Sequence, residues 1–231
     1  MSNRTELLKR AARCYGSAGL ALDASRCYES VGDFIGAGHL YEQALEWAHA
    51  SRCFALAQQW PAAARAHLRA GEPEEAAEAW IKAGESGQAA WLLADECRLF
   101  TRARALAQSL SEGSPSSPVE RELIIARSDI GQNRLADAAR RLRAALRLMP
   151  SVGVTFSRDR LDAWALHIAG LLRRPDLTAL VHSTSAKAGT AGSLDRWRSW
   201  AAQSLGDSSG IPASSAELVP THTAALAAVE T

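Results

Sequence analysis

AARCYGSAGLALDASRCYESVGDFIGAGHLYEQALEWAHASRCFALAQQWPAAARAHLRAGEPEEAAEAWIKAGESGQA, residues 11–89, repeats itself every 13 residues. A ring-bearing slot recurs at Tyr15, Tyr28, Tyr41, Phe54, His67 and Trp80. Four residues before each ring, and once beyond the last, stands alanine: Ala11, Ala24, Ala37, Ala50, Ala63, Ala76 and Ala89. Three residues after it comes a small residue (Ala18, Val31, Ala44, Ala57, Ala70, Ala83), then often glycine (Gly19, Gly32, Gly71, Gly84).

Within one repeat, Ala24, Cys27, Tyr28 and Val31 fall at i, i+3, i+4 and i+7, one face of a helix. The repeats cannot join into a single rod. At about 100° per residue, 13 residues advance roughly three turns plus about 220°, so the apolar stripe would swing to the far side each time. Each repeat is therefore expected to be a short helix followed by a reversal. Gly32, Gly71 and Gly84 sit where a left-handed residue ends a helix, and Pro61 and Pro73 where the next begins. A helix of about ten residues is only roughly 15 Å long and does not persist alone in water. Antiparallel neighbours must bury its stripe, as in an α-solenoid.

The ring series is thus expected to be core, with alanines letting the helices approach. A second series, Phe34, Trp47 and Trp60, keeps the interval near the turns. Contacts across helix starts account for it, and Trp47 and Trp60 are also candidate partner anchors, since tryptophan is enriched at binding hot spots. Cys14, Cys27 and Cys53 share one slot beside the ring, with Cys97 beyond the array. No CxxC pair occurs, so small buried thiols are expected rather than metal ligands or disulfides.

Hydrophobic residues make up 47% of the chain and aromatic ones only 6%, an Ala- and Leu-rich helical composition. Residues 1–10 carry no apolar run, so neither a signal peptide nor a membrane span is expected, and a cytoplasmic location follows. Residues 1–97 hold 9 basic against 13 acidic side chains, residues 98–231 hold 17 against 12. The boundary is expected at the Ser- and Pro-rich stretch 111–118. It divides a short-helix array (1–110) from longer helices (119–205) and a flexible tail (206–231) in which 223–229 is a short candidate helix.

In the second segment, Ala138-x3-Leu142-x2-Ala145-x4-Pro150, with Ala145-Leu146-Arg147-Leu148 before the proline, resembles the second helix of a tetratricopeptide repeat. The resemblance implies an all-α, right-handed solenoid of short antiparallel helical hairpins that binds protein segments. It covers one repeat closely and residues 11–97 only in kind, because 13 residues per helix is shorter than that family's 17.

The same helix is the most basic in the chain: Arg140, Arg143 and Arg147 align at i, i+3 and i+7, with Arg134 and Arg141 in a second row. Such a face suits solvent, or an acidic peptide or polyanion. No catalytic signature (HExxH, GxSxG, phosphate-binding loop) appears, and no cofactor or metal site is expected. The expected role is a non-enzymatic protein-interaction scaffold. The alternatives are a nucleic-acid or polyanion binder, which the absence of a reader fold disfavours, and an accessory subunit of a larger bacterial-type assembly. The sequence leaves the oligomeric state open.

Overall fold

A computed structural model of the chain describes residues 2–110, 116–152, 156–214 and 218. The described residues form thirteen α-helices and no strand, and divide into two compact units, 1–106 and 107–231.

In the first unit, α1 (Ser2–Ser17), α2 (Ala21–Val31), α3 (Phe34–Gln43), α4 (Trp47–Leu56), α5 (Trp60–Ala70), α6 (Pro73–Lys82) and α7 (Ser86–Asp95) each pack on the next, and α8 (Phe100–Gln108) follows. The 13-residue repeat is one helix plus one reversal. The direction of packing can be read from two cation–π contacts. Arg69, near the end of α5, lies 5.8 Å from the ring centre of Trp47, which starts α4. Lys82, ending α6, lies 4.6 Å from that of Trp60, which starts α5. The start of each helix adjoins the end of its successor, so neighbours are antiparallel.

Each reversal has the same backbone. Positive φ angles fall at Gly19, Gly32, Leu45, Gln58, Gly71 and Gly84, one residue every 13. Glycine takes that conformation without a Cβ clash, but Leu45 (φ 60) and Gln58 (φ 56) adopt it too. Packing of the flanking helices overrides local preference at those two sites. Pro73 opens α6 and Pro61 is second in α5, as expected. Asp33 caps α3 by accepting from the Gly36 amide at 2.9 Å.

The alanine slot is the core of the array: Ala24, Ala37, Ala50, Ala63, Ala76 and Ala89 are wholly buried. The ring slot is buried only in the middle. Tyr41 and Phe54 are enclosed, Tyr28, His67 and Trp80 are half-buried, and Tyr15 is 39% exposed. The expectation that the whole ring series is core therefore holds for the central repeats and fails at Tyr15: among the described residues α1 packs on α2 alone, whereas the helices that carry Tyr41 and Phe54 are covered on both sides. The cysteine slot follows the same gradient: Cys14 is exposed, Cys27 half-buried and Cys53 buried, and all four thiols are free. Around Phe54 the packing is close enough that Gly38 is obligatory. A Cβ there would stand 2.7 Å from the ring.

In the second unit, α9 (Ser117–Gly131) and α10 (Leu135–Leu148) pack as a helical hairpin at the position of the tetratricopeptide resemblance. α9 begins inside the stretch expected to be loop; residues 111–115 lie outside the described residues. α10 stops at Leu148, and Pro150 sits in a following 3₁₀ turn, Met149–Val152. The helices α11 (Phe156–Leu171), α12 (Pro175–Lys187) and α13 (Ser193–Leu205) then pack in series. Leu123, Ile124, Leu142, Leu161, Ile168 and Val181 are fully buried. Arg158 is buried too, giving Nε to Asp162 (3.1 Å), Nη1 to the Met149 carbonyl (2.8 Å) and Nη2 to that of Thr184 (3.3 Å). It ties the 3₁₀ turn and α12 to α11. Beyond α13, Arg198 donates to the carbonyls of Pro212 (2.5 Å) and Ala213 (2.9 Å). The candidate helix at 223–229 lies outside the described residues.

Candidate functional site

Alternate helices of the first unit lie side by side. On α2, Glu29 accepts from Arg52 of α4 at 2.6 Å and from the Tyr41 hydroxyl at 2.9 Å. Burial, then Glu29, raises the Tyr41 hydroxyl above its ordinary value of 10.0. One repeat further on, the corresponding residues are Glu42 on α3, Arg65 on α5 and Phe54. There the gap stays open. Phe54 has no hydroxyl to give, and Glu42 engages His39 on its own helix at 3.2 Å.

The result is a groove of about 580 Å³ lined by His39, Glu42, Gln43, Trp47, Arg65 and Arg69. His39, Glu42 and Gln43 share a face of α3 at i, i+3 and i+4, and Arg65 and Arg69 share one of α5 at i and i+4. Trp47 reaches it from the start of α4. Both arginines are exposed, and Arg65 meets no carboxylate among the described residues. Arg69 lies over the half-buried Trp47 ring. The groove thus offers two guanidinium groups and an aromatic surface against a single carboxylate already bonded to an imidazole.

The arginines of α10 are differently placed. Arg134 gives two hydrogen bonds to the buried Asp129 (2.9 and 2.5 Å), and Arg141 bridges Asp129 and Glu122, each at 3.1 Å. Arg140 pairs with Asp137, and Arg143 reaches Asp176 at 3.4 Å. Asp176 is also held by Arg174 at 2.7 Å, which keeps its carboxyl below the usual 3.8. Arg147 stands apart at a cavity of about 460 Å³ with Arg158 and Lys187. Four of the five arginines expected to form a basic face therefore balance acids of the same unit. Of the two tryptophans singled out from sequence, Trp47 lines the groove and Trp60 is covered by Lys82.

No family model, curated protein or solved structure matches this chain. Its described residues form a series of consecutively packed helices compatible with a helical-repeat fold. Among the described residues no helix is long and apolar enough to cross a membrane, and no three His, Cys, Asp or Glu side chains converge as a metal site.

Reading the sequence for its basic face led to α10, where basic residues are densest, and passed over Arg65 and Arg69. The available signal was spacing. Glu42 and Arg65 are 23 residues apart, the separation at which Glu29 and Arg52 meet across alternate helices.

Proposed function

We propose that this protein is a non-catalytic interaction scaffold, a right-handed solenoid of tetratricopeptide-like hairpins acting in the cytoplasm, whose α3–α5 groove holds an extended acidic segment of a protein partner. One observation carries the reading: Arg65 and Arg69 stand one turn apart beside Trp47 in an open groove of peptide-binding size, with no acid among the described residues neutralising Arg65. Carboxylates of a bound segment would complete those guanidinium groups, and an apolar side chain would lie on the tryptophan, the kind of anchor that dominates interface energetics. The polyanion alternative has less support, since most of the α10 arginines are already in ion pairs.

The test is comparative affinity purification from the native cell with mass spectrometry, using wild type, Trp47→Ala and the Arg65→Glu/Arg69→Glu double variant. A partner rich in acidic segments should be captured by wild type and lost from both variants, with helical circular dichroism unchanged. Equal capture by wild type and the double variant overturns the groove as the binding site.

A further inference from the structure

The second unit holds a cavity of a different character. It measures about 380 Å³ and is lined from α11 by Asp159, Asp162 and Leu166, from α12 by His182 and Ser185, and from the turn into α13 by Thr190 and Ser193, with Arg196 also at its edge. Two of its polar atoms are buried and unpartnered among the described residues: Asp162 Oδ2 and Thr190 Oγ1. The residues that carry them are 6% and 5% exposed. A buried carboxylate oxygen and a buried hydroxyl without partners are costly, and native folds satisfy such groups. Arg158 satisfies only the other Asp162 oxygen, through Nε, while its two remaining nitrogens go to main-chain carbonyls. Ser185 lies near enough to Asp162 to lower its carboxyl, but its one hydroxyl hydrogen goes to the Val181 carbonyl at 3.1 Å, which leaves Oδ2 unmatched. His182 is 7% exposed, leans on Trp200 at 5.4 Å between ring centres, and makes no hydrogen bond to a described residue. Burial, reinforced by Arg196, holds its imidazole below 6.5, so at neutral pH one ring nitrogen is an acceptor.

The space is more than ten times the roughly 30 Å³ of one water, and its inner groups are predominantly acceptors. We propose that this cavity binds a small organic molecule bearing a primary ammonium group, whose hydrogens satisfy Asp162 Oδ2 and Thr190 Oγ1. An ammonium carries three donors and no acceptor, which suits the oxygen that the Arg158 pair leaves unmatched on Asp162. An anion brings acceptors only and would leave Asp162 Oδ2 unmatched. At the exposed rim, Asp159 and Arg196 oppose each other in charge and do not select. The Ala163 and Leu166 side chains offer the apolar wall that a short alkyl chain needs.

The test uses the full chain, ¹⁵N-labelled, titrated at constant ionic strength with propylammonium chloride and, separately, with sodium propionate. Saturable shifts of the amides around 162, 182 and 190 with propylammonium, absent with propionate, support the site. Thr190→Val replaces the unpartnered hydroxyl with a methyl of similar shape, so it should fold with an unchanged or higher Tm. It should also bind propylammonium about tenfold more weakly, the effect of losing one bond to a charged donor. Asp162→Asn should abolish binding. Identical responses to the two salts, no saturable response to propylammonium, or undiminished binding by a folded Thr190→Val protein overturns the proposal.

Discussion

At Leu45 and Gln58 the backbone takes the left-handed conformation that glycine holds at the equivalent positions of the other repeats. Both side chains are exposed, so they give little packing in return. A non-glycine residue there costs about 1–2 kcal/mol, against which glycine's extra unfolded-state freedom costs about 0.5–1 kcal/mol. Gln58→Gly should therefore stabilise the protein by about 0.5–1 kcal/mol in urea unfolding; a destabilised variant would refute the strain. A second residue-scale consequence concerns acid. His182 titrates below its unfolded value of 6.5 because burial disfavours its charged form. The unfolded chain then binds the extra proton more readily, so stability is full above 6.5 and is lost as pH falls through that value towards the folded one. Replacing His182 with Gln should flatten the slope of Tm against pH between about 7 and 5 relative to wild type. The comparison isolates this histidine from His39 and His67, which sit beside carboxylates.

On the scale of the element, each helix of the array is too short to stand alone, and its stability comes from the two neighbours that cover its stripe. The ring slot reports how complete that cover is. Phe54, enclosed between α3 and α5 and in contact with Gly38, should lose about 3–5 kcal/mol on change to Ala. Tyr15→Ala, in the first helix, should fall within about 0.5 kcal/mol of wild type, as exposed sites do. Equal losses in chemical unfolding would mean that the slot is not graded. Here the legibility of the sequence has a physical boundary. Ala24, Ala37, Ala50 and their successors disclosed the helices, their length and their reversals, because periodicity is local. The exposure of Tyr15 and the openness of the groove beside Arg65 were not disclosed. Both depend on what stands next to a helix, and that follows from the order of stacking and from whether a hydroxyl, as on Tyr41, is present to close a gap. Likewise Arg143 looks free along α10 and finds Asp176 of α12 once the chain is folded.

For the molecule as a whole, the two units follow different rules. Residues 1–106 grow by repetition, with contacts passed from each helix to the next, whereas in residues 107–231 α10 also meets α11 and α12. Deep carboxylate, guanidinium and imidazole groups belong to the second arrangement: Asp129, Arg158, Asp162 and His182 are all enclosed there. The first unit keeps its charges outside and presents a surface that repeats.

That alternate helices stand side by side, as the Glu29–Arg52 bridge requires, gives the array a parity. Excising one repeat, residues 46–58, would leave every helix a legitimate neighbour yet carry Arg65 across to the opposite flank from His39. The protein should stay helical and lose capture of its partner. Lineages of such arrays can lengthen or shorten freely only two helices at a time; an odd step turns the remainder of the surface inside out.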